Sequence, residues 1–272
     1  MTSVSCVIIT TLVVISLANL LLLVHVIMHS MVKCEQTRTI TKKIPKIQKR
    51  DNSAATTHNR NKYKFMAALV VLFGDDDFQF VCGVAIISKK WVLTAAHCVD
   101  PLLDEPHEKM KVVSCFEKMK YGLWYDVEEV VVHDGYKESP LANNLAVISV
   151  GRFFKEKEVG FVALPRRSYK YLANSSATAL GWAGGELVAV DVKLMSYRVC
   201  RGAYFDQVSD ATFCAEKKSC FFDHGGFLMQ RDVLVGVVSF GVGCGVKPVV
   251  YSRVSGFEEW FRGRKVGLVF KD

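Results

Sequence analysis

Trp91-Val92-Leu93-Thr94-Ala95-Ala96-His97-Cys98 is the stretch that says most about the fold of this 272-residue chain. Its first four residues are apolar or β-branched, which predicts a strand, and two alanines then lead directly to a histidine beside a cysteine. An isolated histidine is more often structural than catalytic. The meaning of His97 therefore depends on the rest of the sequence.

Short β-rich runs bounded by turn residues recur beyond Phe65, where the folded part of the chain is predicted to begin. Helical periods do not separate them, so they predict an all-β sandwich or a pair of barrels. A single helix is predicted at residues 256–263 (GFEEWFRG). The predicted strands are residues 66–73, 78–87, 111–116, 127–133 and 145–150, followed by those in SATALGW, ELVAVDVKL, GGFLM, VLVGVVSF and PVVYSRV.

Five further stretches accompany the one at His97: FQFVCGVAIIS at 78–88, Gly181-Trp182, CFFDHGGFL at 220–228, VSFG at 238–241 and KPVVYSRV at 247–254. With them, the chain from about Phe65 to its end closely resembles the trypsin/chymotrypsin-like serine proteases. The resemblance implies an all-β fold of two antiparallel six-stranded barrels with a cleft between them and a C-terminal helix. It also implies three disulfides, Cys82–Cys98, Cys200–Cys214 and Cys220–Cys244.

Catalysis in this family requires a hydroxyl nucleophile, an imidazole base and a buried carboxylate that orients the imidazole. The resemblance places His97 at the base position. It places Asn144, in the run Asn143-Asn144-Leu145-Ala146, where the family has aspartate, and His224 where it has serine. Two of the three catalytic positions are therefore degenerate, and no functional catalytic residue is expected.

The supporting positions of the family site are altered as well. Phe222 replaces the glycine whose backbone N–H contributes to the oxyanion hole, where a bulky side chain causes crowding. Lys218, Gly241 and Val249 align with the specificity pocket, and Val249 replaces a glycine of its wall. We interpret Lys218 as a solvated loop residue, with recognition of an acidic group as the alternative.

Activation by cleavage is not expected in the usual family form. The expected junction falls at Arg50-Asp51, and the sequence after it, Asp51 to Ala54, is too polar to insert as a new amino terminus. Lys49-Arg50 remains a candidate processing site. Asp223, the family partner of that terminus, needs another donor if it is buried.

The N-terminal region differs in composition from the rest. Residues 1–32 carry no charged side chain, and the apolar run from Cys6 to Met28 is long enough for either a signal peptide or a retained membrane anchor. Residues 33–64 are polar and basic, which predicts a flexible stalk or pro-segment before a protease-like domain at 65–272. Because the net charge of +8 arises in the first 64 residues, the charge of the remainder favours no nucleic-acid partner.

The nine cysteines include no CxxC pair, which favours long-range disulfides in an oxidising compartment over a zinc module. Asn174 heads an Asn-Ser-Ser sequon, and both features predict secretion. Cys34 and Cys115 are left over and could pair with each other, with another chain, or not at all. No cofactor or metal is expected.

We therefore interpret the chain as a secreted, non-catalytic serine protease homologue, similar to insect homologues of this kind. It would bind extracellular proteins, such as proteases or their substrates, as a regulator or cofactor in a proteolytic, immune or reproductive pathway. The alternatives are weak or altered hydrolysis, or metal binding, by His97 and His224. A membrane contact is expected only if residues 6–28 remain attached.

Overall fold

Antiparallel strands dominate the computed structural model, which describes residues 56–57, 62–73, 77–114, 121–139, 141–183, 186–216, 225–241, 247–264 and 266–272. Several predicted features lie outside these residues, namely segment 1–32, most of segment 33–64, Cys34, Cys115, Lys218, Phe222, His224 and the Cys220–Cys244 pair.

The described strands are β1 (Thr56–Thr57), β2 (Met66–Leu72), β3 (Phe78–Ile86), β4 (Trp91–Thr94), β5 (Met110–Ser114), β6 (Leu123–Val132), β7 (Ala146–Val150), β8 (Leu164–Pro165), β9 (Ser176–Ala183), β10 (Glu186–Lys193), β11 (Thr212–Ala215), β12 (Phe227–Gln230), β13 (Val233–Phe240), β14 (Val249–Arg253) and β15 (Phe270–Lys271). The α-helices are α1 (Ala96–Val99), α2 (Tyr197–Tyr204) and α3 (Glu258–Gly263). Single 3₁₀ turns occur at Asp100–Leu102, His107–Lys109, Phe205–Gln207 and Val254–Phe257.

Strands β2 to β7 form a closed barrel in the order β2-β3-β4-β7-β6-β5. The barrel closes because β5 returns to pair with β2, with Val70 opposite Lys111. Leu69, Val84 and Ile148 are fully buried in its core. Burial of such aliphatic side chains is the main favourable contribution to folding.

The second half forms an antiparallel sheet in the order β1-β10-β9-β12-β13-β14-β11. Leu194, directly after β10, makes an isolated bridge to Ala215 at the end of β11, and the Met195 N–H donates to the Cys214 carbonyl over 2.9 Å. The six strands from β10 to β11 in this order thus curve until the two outer strands meet. The fold is the predicted one. The second barrel is closed between β10 and β11 by a single bridge, whereas the first is closed by a continuous ladder between β2 and β5.

The C-terminal helix is confirmed as a 3₁₀ turn at Val254–Phe257 followed by α3. The prediction of a single helix was nevertheless wrong, because α1 and α2 are helical as well. The eight residues of α2 bury only Cys200 and Tyr204, which leaves too short a pattern for a helical period to be recognised. Ser196, whose side chain accepts from the Val199 N–H, is the N-cap signal that could have revealed it.

Two of the three implied disulfides are present. Cys82 at β3 pairs with Cys98 in α1, and Cys200 in α2 pairs with Cys214 in β11. Each crosslinks a helix to a strand of its own half of the molecule. In the described part of the chain no helix has the length and apolar character needed to cross a membrane.

Candidate functional site

His97 lies where β4 passes into α1. Ala95 and Ala96 are fully buried, so the short helix packs against the barrel. Cys98, the residue after His97, is bonded to Cys82 of β3 by a disulfide. The Thr94 hydroxyl donates to the Gly83 carbonyl over 3.0 Å and links β4 to β3. His97 itself is half-buried and directly precedes the disulfide-bonded Cys98.

Asn144 faces His97 from the turn before β7. The turn is tight, since Asn143 has a φ of 48° and its carbonyl accepts from the Leu145 N–H over 2.8 Å. Asn143 also donates through Nδ2 to the Gly135 carbonyl over 2.7 Å. This geometry holds Asn144 in the interior with 1% exposure.

The orientation of the Asn144 amide follows from groups that can play only one hydrogen-bonding role. Its Oδ1 accepts from the His97 backbone N–H over 2.9 Å, and a backbone N–H can only donate. Its Nδ2 lies 3.4 Å from the Ser239 carbonyl, which can only accept, and 3.2 Å from the Ser239 hydroxyl. The NH₂ group therefore also faces Nδ1 of His97, 2.8 Å away.

This orientation determines the tautomer of His97. Because Nδ2 of Asn144 donates, Nδ1 of His97 accepts, and the proton of the neutral ring sits on Nε2. Nε2 lies 3.7 Å from Sγ of Cys98, a disulfide sulfur that can only accept, which fits the same assignment. A ring in this form has no lone pair on Nε2 with which to take a proton from a nucleophile.

Asn144 also connects the two halves of the molecule. It belongs to the first barrel, whereas Ser239 lies in β13 and Ser252 in β14, and the Ser252 hydroxyl donates to the Asn144 carbonyl over 3.0 Å. Neither serine was predicted to take part in the site. The VSFG stretch that contains Ser239 was the signal that could have pointed to it.

Gly225, the residue after His224 in the sequence, lies against Gly83 of β3. Its φ is +69°, and a Cβ on it would come within 2.7 Å of the backbone N and O of Gly83. A Cβ on Gly83 would in turn meet the Gly225 carbonyl oxygen at 2.5 Å. Only glycine at both positions allows the two backbones to approach this closely beside the Cys82–Cys98 disulfide.

Comparison with known proteins assigns the family, because residues 53–261 match the family model described as Trypsin. The chain belongs to the trypsin family. It is 34% identical to trypsin epsilon of Drosophila erecta over 200 residues, which is 66% of this chain and 75% of that protein. It is 30% identical to the venom peptide isomerase heavy chain of Agelenopsis aperta over 229 residues, which is 73% of this chain and 93% of that one.

The structure describes two of the three positions that were predicted for the specificity pocket. Val249 opens β14 opposite Ala215 and is 3% exposed, so its side chain occupies interior volume that a glycine would leave open. Gly241 follows β13 and is half-buried. Lys218, like Phe222 and His224, lies outside the described residues.

The one cluster of metal-ligand residue types among the described residues is Cys82, His97 and Cys98. Both sulfurs are consumed by the disulfide and offer no thiolate, and Nε2 of His97 carries the proton in the assigned tautomer. These three residues therefore do not form a metal site in the oxidised protein. The alternative pair of His97 with His224 extends beyond the described part of the chain.

Proposed function

We propose that this trypsin-family protein is a secreted, catalytically inactive homologue that acts by binding other proteins. The observation that carries the proposal is the hydrogen bond from Nδ2 of Asn144 to Nδ1 of His97. It places a donor where a working triad has an acceptor, in a position held by the His97 backbone and by Ser239.

The chemical consequence has two parts. The ring proton lies on Nε2, so His97 is in the wrong form to act as general base. A neutral amide also gives no electrostatic stabilisation to the imidazolium that forms during acyl transfer. Replacement of the aspartate by asparagine alone lowers turnover by about four orders of magnitude in proteases of this mechanism.

The sequence adds independent losses at other parts of the machinery. His224 stands at the nucleophile position, Phe222 at the oxyanion position and Val249 at the pocket wall. Each would have to be circumvented separately for peptide hydrolysis to occur. A protein that keeps the fold and the geometry around His97, yet lacks these parts, is better suited to binding than to turnover.

Secretion is supported by the two disulfides and by the position of the sequon. Asn174 is exposed, with a φ of 64°, in the loop before β9, where a glycan would not disturb the core. We therefore propose extracellular partners, with a role as regulator or cofactor of proteolytic, immune or reproductive proteins. An anchor at residues 6–28 would present the same domain at a membrane surface.

The test is to express the full chain through a secretory route and expose it to a fluorophosphonate probe and a broad panel of peptide esters. We expect neither labelling nor turnover, with an active trypsin as positive control. Turnover that disappears in the His97→Ala variant would overturn the proposal and favour the hydrolase alternative. Acylation at His224 by an acyl-transfer probe would do the same.

A second measurement addresses processing. The N-terminal sequence of the secreted protein separates removal of residues 1–32 from cleavage after Lys49-Arg50. We expect a mature terminus upstream of the domain. Recovery of the protein only in the membrane fraction would mean that residues 6–28 are retained as an anchor.

A further inference from the structure

A small cleft lies on the second half of the molecule and involves none of the residues of the triad region. It has a volume of about 200 Å³ and is bordered by the start of α2, the middle of β11 and the end of β14. The residues that matter for its chemistry are Tyr171, Met195, Tyr197, Phe213 and Arg253.

Arg253 gives the cleft its charge. Its Nε donates to the Asp210 carbonyl over 3.0 Å and its Nη2 to the Thr212 carbonyl over 3.3 Å, so both of these acceptors are neutral. Among the side chains that the structure describes, no carboxylate lies within 4.0 Å of the guanidinium. A guanidinium has more N–H groups than these two bonds use, in a planar arrangement that matches a carboxylate.

Aromatic rings hold that cation in place. The guanidinium lies 4.3 Å from the Tyr171 ring centre and 5.6 Å from that of Phe213. The Tyr171 hydroxyl donates to the Val235 carbonyl over 3.0 Å and accepts from the Ser255 N–H over 3.3 Å, so the ring is itself fixed. Because the Arg253 side chain is already held in place, binding of an anion here costs little free energy for ordering that side chain.

Burial acts against the charged form of this group. It lowers the pKa of Arg253, while Tyr171 and Asp210 raise it by smaller amounts. The exposed Asp210 thus supplies only part of the missing counter-charge. A bound anion would supply the remainder.

The surroundings favour an acidic partner. Helix α2, which borders the cleft, carries the exposed Arg198 and Arg201, and its sequence YRVCRGAY has no acidic residue. Lys170, next to the lining residue Tyr171, is exposed as well. Exposed cations in the neighbourhood of a site increase the rate at which an oppositely charged partner associates.

The volume limits what can enter. Sites for small organic ligands usually measure roughly 300–1,000 Å³, so a cleft of about 200 Å³ fits one side chain and not a whole metabolite. We propose that this cleft binds a glutamate or aspartate side chain from an acidic segment of a partner protein, with Arg253 as the anchor. The inference rests on the proposed function, since it gives a binding protein its contact surface.

The test uses a fluorescein-labelled peptide, Gly-Glu-Phe-Glu-Glu-Gly, and a matched peptide with glutamine for each glutamate. Fluorescence anisotropy with the full secreted chain should show binding of the acidic peptide that weakens as salt is added. Arg253→Gln should lower the affinity at least about tenfold, because a charged hydrogen-bond partner is lost. Arg152→Gln is the matched control, since Arg152 also lies over a tyrosine ring and donates to a backbone carbonyl, but in the first barrel.

Tyr197→Asp is the second variant, in case Arg253→Gln impairs folding. Tyr197 lines the cleft and is 45% exposed, so a carboxylate there repels the peptide without disturbing the core. Equal affinity for the two peptides, no binding by the wild type, or unchanged binding by Tyr197→Asp would each overturn the inference. Fluorophosphonate labelling together with unchanged peptide binding would overturn the proposed function and still support peptide binding at the cleft.

Discussion

The side-chain amide of Asn144 holds His97 through both of its ends, with Oδ1 accepting from the His97 backbone N–H and Nδ2 donating to the ring at Nδ1. The hydrogen bond from the His97 backbone N–H does not require the charge of an aspartate, because an amide oxygen accepts as a carboxylate oxygen does. The hydrogen bond to the imidazole ring runs in the opposite direction from that in a working triad, because Nδ2 of Asn144 donates to Nδ1 of His97 where an aspartate would accept. The protein therefore keeps the position of the imidazole while changing where its proton sits.

Asn144→Asp should move that proton. A carboxylate can only accept, so Nδ1 of His97 becomes the protonated nitrogen of the neutral ring. ¹⁵N NMR of the histidine ring should show Nδ1 unprotonated in the wild type and protonated in the variant, with no hydrolysis of peptide esters by either protein. A proton on Nδ1 in the wild type would contradict the amide orientation.

Gly225→Ala should be strongly destabilising, because a Cβ there overlaps the backbone of Gly83. Gly267→Ala is the matched control, since Gly267 has a similar φ of +64° but a Cβ added to it would meet no atom within 4 Å. The control should lose about 1–2 kcal/mol from backbone strain, and Gly225→Ala about 2 kcal/mol more from the overlap. Urea unfolding measures both, and equal losses would mean that the loop can move away from β3.

The stability should depend on pH through His133, which lies 5.1 Å from both Phe257 and Trp260, measured between ring centres, and accepts at Nδ1 from the Gly135 N–H over 3.0 Å. Burial lowers its pKa, with Asp134 opposing and Arg264 adding to the effect. The unfolded chain thus takes up a proton more readily than the folded one. The contribution of the neutral His133 ring to the free energy of unfolding is therefore fully present above about pH 6.5 and is lost as the pH falls toward the folded pKa.

Melting temperatures at pH 8 and pH 5 measure this dependence. The wild type should lose more stability on acidification than His133→Gln, which has no group that titrates in this range. Identical pH dependence in the two proteins would exclude His133 as the cause.

Tyr171→Phe should destabilise the wall of the cleft by about 1–3 kcal/mol, because the Val235 carbonyl and the Ser255 N–H lose their shared partner. Burial raises the pKa of Tyr171 to about 12, so its hydroxyl remains a donor at physiological pH. Tyr197→Phe, at the exposed mouth of the same cleft, should change stability by less than about 0.5 kcal/mol. Urea midpoints compare the two, and equal effects would contradict the role of the buried hydroxyl.

Much of the fold could be predicted from local sequence. The strands from Met66 to Leu72 and from Val233 to Phe240 consist of apolar and β-branched runs that can be recognised without tertiary information. Strand β11 and helix α2 were not predicted because each is short. Phe213 and Cys214 are buried by the neighbouring β14 and by a disulfide, and neither effect is visible in a four-residue window.

The sequence by itself determined the family resemblance, which in turn predicted roles for His97, Asn144 and His224 and implied the two cysteine pairs that the structure contains. These depend on residue identity and on order along the chain. The tertiary structure alone decided which way the Asn144 amide faces and where Arg253 finds its acceptors. His97 and Ser239 lie 47 and 95 residues from Asn144, and Asp210 lies 43 from Arg253, so only the folded chain brings together the donors and acceptors that assign each role.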